Sequence, residues 1–197
     1  MNKPYSSGDI DLDFASRDHA LRYIKHIPAT MLIDGKPTRH NSGVYVNPIP
    51  CDGMTGLASI DYKTAEQLGY VKLDLLNNSV YSLVSSPDHL DQLVATPPDW
   101  SRLTDRSFVE QVVHINAHWD LMQQMPEPID SIARMAMFLA IIRPAKRHLA
   151  GLTWKEVAKT VWQKPTDGSY YFKKAHSLSY SYLIVVHMNL LCEQATA

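Results

Sequence analysis

The sequence predicts an α+β protein, with a small sheet in its front half and a mostly helical back half. Three observations lead there. Residues 8–14, Gly-Asp-Ile-Asp-Leu-Asp-Phe, alternate strictly between polar and apolar, the period of a strand with one wet face and one buried face. Residues 70–75, Tyr-Val-Lys-Leu-Asp-Leu, do much the same. From Asp88 onward such alternation gives way to helical patterning bounded by caps and prolines.

Between the two alternating segments, residues 17–26 read as a helix stopped before Pro28, and residues 44–46 as a short strand after Gly43. A loop rich in Pro and Gly (48–56) follows, then a strand candidate at 59–62 and a short helix at 63–68. Pro97-Pro98-Asp99 is the clearest punctuation, dividing a sheet region (1–98) from a helical region (99–197) expected to pack on it as one compact unit. Residues 129–142 form a helix that Pro144 ends. Thr153-Trp-Lys-Glu156 is a capping box opening a helix to about Trp162. The turn Pro165-Thr-Asp-Gly168 stops it, and residues 174–191 form the last helix.

Of the 197 residues, 45% are hydrophobic, enough to bury a core and to exclude a disordered chain. The two cysteines, Cys51 and Cys192, lack metal-type spacing, and so few thiols suit a reducing interior. The longest apolar stretches, 135–142 and 182–186, fall far short of the roughly 20 residues of a membrane span. No signal-like run follows Met1. A cytoplasmic protein is the expectation. The net charge is −1, but the front half is acidic and the back half basic, a distribution that suits either carboxylates beside a phosphate-binding surface or simply a solvated helix face.

Asp9, Asp11 and Asp13 share one parity on the first strand, so their side chains project to one face, with Ile10, Leu12 and Phe14 expected in the core on the other. Carboxylates so close repel one another unless cations bind them, and oxygen donors on a rigid strand suit Mg²⁺. Asp74 is the candidate for a further donor from a neighbouring strand, as a two-metal phosphoryl-transfer site requires. Lys72 shares its parity and suits phosphate.

Residues 7–14, Ser-Gly-Asp-Ile-Asp-Leu-Asp-Phe, resemble the Pro-Asp-x-Asp-x-Asp-Phe metal motif of the C-family replicative DNA polymerases, the bacterial DNA polymerase III alpha subunits. Four further segments match in the same order. Residues 39–48 (Arg-His-Asn-Ser-Gly-Val-Tyr-Val-Asn-Pro) resemble the family's His-Ala-Gly-Gly-Val-Val segment. Residues 70–76 resemble its Leu-Val-Lys-Phe-Asp-Phe-Leu strand. Residues 140–145 (Ala-Ile-Ile-Arg-Pro-Ala) are similar to Ala-Leu-Tyr-Arg-Pro-Gly, and residues 171–180 to Gly-Phe-Asn-Lys-Ser-His-Ser-Ala-Ala-Tyr.

The resemblance implies a small mixed sheet of the nucleotidyltransferase type, the palm shared with DNA polymerase beta. It implies that Asp9, Asp11 and Asp74 hold two Mg²⁺ or Mn²⁺ ions, with Asp13 beside them. It implies that Lys72 and Arg143 meet phosphates, and that Lys174, His176 and His40 line the same cleft. The partners implied are a DNA primer-template and a deoxynucleoside triphosphate. The family's Gly-Ser motif upstream of the aspartates has only Ser6-Ser7-Gly8 as a counterpart, and its long helical insertion is reduced to the 26 residues between Asp13 and His40. A reduced palm is the expectation, one that either needs a second protein chain to complete the nucleotide pocket or has changed its role.

Other constellations carry less. His114 and His118 are spaced i, i+4 near Asp120, but no third zinc ligand follows at a convincing spacing. Trp154, Trp162, Tyr170, Tyr171, Tyr180 and Tyr182 suit a helical core better than base stacking. Residues 152–183 scan as a helix-turn-helix, placing Lys173 and Lys174 near DNA phosphates. On that scan rests the rival expectation, a non-catalytic DNA-binding or replication-accessory protein.

Overall fold

The computed structural model describes residues 10–167 and 169–196. The chain is mixed α+β and divides into two compact units, Met1–Leu83 and Val84–Ala197.

The first unit holds a four-stranded mixed sheet in the order β1-β4-β3-β2. Strand β1 (Ile10–Phe14) runs parallel to β4 (Leu73–Asn77), with Asp11 opposite Asp74. Strand β2 (Ile27–Ile33) and β3 (Lys36–Tyr45) form an antiparallel hairpin, and β3 pairs antiparallel with β4. Ile33 faces Lys36 across Asp34-Gly35, whose φ values of 50° and 75° are those of a type I′ turn. The reading of residues 17–26 as one helix gives way to α1 (Arg17–Leu21), capped by Ser16, and the β2 strand that follows was not foreseen. The strand candidate at 59–62 contributes only an isolated bridge between Asp61 and Thr30. Asp61 instead caps α2 (Tyr62–Gln67), accepting from the backbone N–H groups of Lys63 and Thr64.

Among the described residues, two small apolar clusters lie in this unit. Leu21, Val44 and Leu75 meet Phe14, Ile24 and Leu73 on one face of the sheet, while Ala29, Tyr45, Ile49, Ala58 and Ala65 pack elsewhere. Contrary to expectation, Ile10 and Leu12 are 44% and 40% exposed: among the described strands β1 lies at the edge of the sheet, and of its three apolar residues Phe14 packs on the cluster.

The second unit is helical. It comprises α3 (Pro87–Ala95), the short α4 (Arg106–Val109) and α5 (Trp119–Met122), α6 (Ile132–Ile141), α7 (Trp154–Thr160) and α8 (Lys174–Thr196). Ser131 caps α6 three residues inside the expected start, and Pro144 opens a 3₁₀ turn after it. The capping box of Thr153 and Glu156 forms as read. Alpha-helices α6 and α8 pack together around Met135, Phe138, Leu139, Ile184 and Met188. Asn189 of α8 donates to the carbonyls of Leu93 and Thr96, both at 2.9 Å, and so anchors α3. Among the described residues no helix is long and apolar enough to cross a membrane.

Candidate functional site

Strand pairing puts the acidic side chains together. In a parallel ladder, residues opposite one another share a face, and neighbouring strands lie about 4.8 Å apart. Asp11 and Asp74 are such a pair, and Asp13 is on the same face of β1 two residues along. Asp9 lies outside the described residues, as do Ser6, Ser7 and Gly8.

Asp74 is 8% exposed and fully engaged. Its Oδ1 accepts from the Ser42 hydroxyl at 2.6 Å, and its Oδ2 is ion-paired with the Lys72 ammonium. Burial alone would push this carboxyl up. The hydrogen bonds from Lys72 and Ser42, with the charge of Lys72, outweigh it and hold the group below its ordinary value. Lys72 also lies 5.8 Å from the centre of the Tyr62 ring, a cation–π contact.

Ser42 and His40 reach Asp74 because the hairpin loses register there. Thr30 pairs with Arg39 but Pro28 with Val44, so residues 40–43 bulge out of the ladder. The bulge folds around His40, whose Nδ1 accepts from the N–H groups of Gly43 (2.9 Å) and Ser42 (3.3 Å). This fixes the neutral imidazole as the Nε2–H tautomer and leaves Nδ1, 3.8 Å from Asp74 Oδ1, near the carboxylate without donating to it. The His40 ring meets Tyr62 edge-on at 5.1 Å. Gly43 makes the arrangement possible: a Cβ there would lie 2.6 Å from Lys72 Cδ and 3.0 Å from His40 Nδ1.

Asp13 is held differently. It accepts from Asn78 Nδ2 at 3.3 Å, yet burial, aided by the charge of Asp11, raises its carboxyl above the ordinary value. Among the described residues no group of three His, Cys, Asp or Glu side chains is assembled for a metal ion. Carboxylates from two strands share one face, but both oxygens of Asp74 are already occupied, by the Ser42 hydroxyl and the Lys72 ammonium, so a cation there would have to displace Lys72.

The remaining predicted residues belong to the second unit. Arg143 follows α6, and its guanidinium lies 4.5 Å from the centre of the Phe172 ring. His176, on α8, meets the same ring at 6.2 Å, and Lys174 opens that helix. Tyr180, one turn further, contacts Phe172 at 5.5 Å and His114 at 4.4 Å. His114 and His118 do not share a helix: His114 has a φ of 66°, and His118 precedes α5. Asp120 pairs with Arg106 at 3.6 Å, so the zinc spacing builds no site. Neither does the helix-turn-helix scan, for α7 ends at Thr160 and α8 begins at Lys174, too far apart for that motif's tight turn. Gly168, in the turn read between them, lies outside the described residues.

Sequence reading missed Ser42, Tyr62 and the surroundings of His114. Ser42 lies inside a segment singled out for other residues. Tyr62 had a signal of its own in the Asp61 cap, which starts α2 at that position. Set against family models, curated proteins and solved structures, the chain matches none.

Proposed function

We propose that the chain is a metal-dependent nucleotidyltransferase of the C-family polymerase type. It adds a deoxynucleoside monophosphate to a primer 3′-hydroxyl on a DNA template. One observation carries the reading: Asp11 and Asp74, from segments more than sixty positions apart, are direct neighbours in a parallel pair, with Asp13 on the same face. The sequence resemblance supports the same residues and adds Asp9. These carboxylates would hold two Mg²⁺ or Mn²⁺ ions. When bound, such ions lower the pKa of the attacking hydroxyl and offset charge on the leaving pyrophosphate.

The protein's own groups divide the rest of the work. Asp74 stays ionised across the neutral range because Lys72 and Ser42 hold it so. Lys72 supplies a positive charge on the carboxylate face, where a triphosphate would lie. His40 fixes the bulge that carries Ser42. Arg143, Lys174 and His176 enter as phosphate and cleft residues through the resemblance. In the reaction the 3′-oxygen bonds to the alpha-phosphorus, the bond to pyrophosphate breaks, and the hydroxyl proton leaves to solvent. A second protein chain would complete the nucleotide pocket.

A second reading has one observation in its favour: an aspartate neutralised by Lys72 and Ser42 also suits a purely structural role, as in a replication-accessory protein. Mn²⁺ binding followed by electron paramagnetic resonance separates the two. The enzyme binds Mn²⁺ and loses it in Asp11→Ala, and extends a primer alone or with a co-encoded partner. An absence of incorporation in both settings, with Asp11→Ala and wild type equal in Mn²⁺ binding, rejects the enzyme.

A further inference from the structure

We infer that the second unit binds a small zwitterion, a free amino acid or short peptide, in a cavity beside the 3₁₀ turn that follows α6. The residues involved lie outside the carboxylate face and outside the set given a role by the resemblance.

The cavity measures about 420 Å³ and opens to solvent. That volume falls within the range of small-molecule sites. One side is formed by the 3₁₀ turn (Pro144–Leu149), with Pro144 and Lys146 in the lining. The other side is formed by the segment ahead of α8, with Pro165, Thr166, Asp167 and Ser169 in the lining. The Ala145 N–H donates to the Tyr170 carbonyl at 3.4 Å and so ties the two sides together.

Lys146 is the unusual member of this lining, for it is only 6% exposed. Among the described residues its ammonium makes one hydrogen bond, to the Thr160 carbonyl at 2.8 Å, and no ion pair. An ammonium has three protons to donate, and burying one without a negative partner is costly. A carboxylate that enters the cavity supplies that partner.

A protein carboxylate lines the same cavity and yet does not pair with Lys146. Asp167 Oδ1 accepts instead from the Ser169 hydroxyl at 2.6 Å and from the Ser169 N–H at 3.0 Å. These bonds hold the Asp167 carboxyl below its ordinary value, so it is ionised at neutral pH. A buried cation and an anion thus share one cavity without closing on each other. The ligand that satisfies both carries a carboxylate for Lys146 and an ammonium for Asp167. A dianion or polyanion is opposed by Asp167, which disfavours phosphate here. Thr166 adds a hydroxyl, and Pro144 and Pro165 add apolar surface for the rest of the ligand.

The test uses the intact chain. A mixture of the twenty amino acids, a mixture of dipeptides and inorganic phosphate are titrated separately, and the members of a responding mixture are then tried singly. The backbone amide signals of Lys146 and Ser169 are followed by nuclear magnetic resonance, and the melting temperature is recorded. Those signals shift and the melting temperature rises with an amino acid or a dipeptide. Blocking the active compound's ammonium by acetylation, or its carboxylate by amidation, removes the response. Lys146→Met, which keeps an apolar stem, and Asp167→Asn each weaken binding by about tenfold or more. Asp167 is exposed, so its variant keeps the fold and tests the site even where Lys146→Met does not fold. A response to amino acids alone assigns the site to a free amino acid, and one to dipeptides alone assigns it to peptide ends. Either outcome supports the site. Silence with both mixtures, a response to phosphate alone, undiminished binding of the blocked compounds, or Asp167→Asn binding like wild type would overturn it.

Discussion

At Gly43 two side chains occupy the space a Cβ would take. Lys72 lies along it on the way to Asp74, and His40 turns its Nδ1 toward the backbone beside it. Gly43→Ala therefore forces Lys72 off Asp74 or opens the bulge, at a cost of roughly 1–3 kcal/mol by chemical denaturation. The same substitution in a Lys72→Ala background, where the obstructing stem is gone, costs markedly less. Equal costs in the two backgrounds would show that the stem is not what Gly43 accommodates. The two neighbouring aspartates respond to pH in opposite senses. Asp74 is depressed below 3.8, so its contribution is present above that pH and disappears as pH falls through its folded value. Asp74→Asn loses about 3 kcal/mol at neutral pH, because Lys72 is left unpaired and largely buried. Asp13 is raised above 3.8, chiefly by burial, so its ionised form weakens the fold once pH passes that range. Asp13→Asn should raise stability at pH 7 and leave it unchanged at pH 3. Urea melts at both values decide this, and a loss at pH 7 would sink it.

The hairpin of β2 and β3 is the element that brings His40 and Ser42 to the carboxylates. Its turn asks for two left-handed residues, and Gly35 supplies the second at φ 75°. Gly35→Ala meets no steric neighbour within 4 Å, so its effect of about 1 kcal/mol is conformational and appears as a shift in the urea midpoint. Asp-Gly between strands is a strong local signal, and it stood in the sequence. The strand before it is hard to read, because Ile27–Ile33 carries a proline near its start and lacks the polar/apolar alternation that marks β1 and β4. The capping box of α7 is local side-chain chemistry and is read directly, whereas the equally local caps at Asp61 and Ser131 go unread, which starts α2 one residue late and α6 three residues early. The shared face of Lys72 and Asp74 was legible from parity, whereas their ion pair and the Ser42 hydroxyl depend on a register shift that no local pattern encodes. Exposure of Ile10 and Leu12 escaped for a related reason, since alternation reveals two faces but not that a strand lies at an edge.

The two units differ most in how they are held. The second has one continuous apolar cluster running from Leu103 to Met188, with Phe138, Leu139, Ile141, Ile184 and Met188 under 2% exposed. Among the described residues the first shows two small clusters, and several of its large apolar side chains remain in solvent, among them Ile10, Leu12, Tyr23 and Leu32. Hydrophobic stabilisation scales with apolar area removed from water, and domains below about 100 residues have little of it to spare. A fragment of residues 84–197 should therefore fold alone, with a helical circular dichroism spectrum and a cooperative thermal transition. Met188→Ala in that fragment lowers stability by about 2–5 kcal/mol, because the side chain is fully enclosed between α6 and α8. A fragment of residues 1–83 should melt earlier and more broadly. Divalent ions offer a specific way to stabilise it: a cation that binds the Asp11–Asp74 face of the folded form raises its melting temperature with concentration, and Asp11→Asn removes that rise. Should residues 84–197 prove unfolded alone while residues 1–83 melt sharply, apolar enclosure would not be what sets the order of stability.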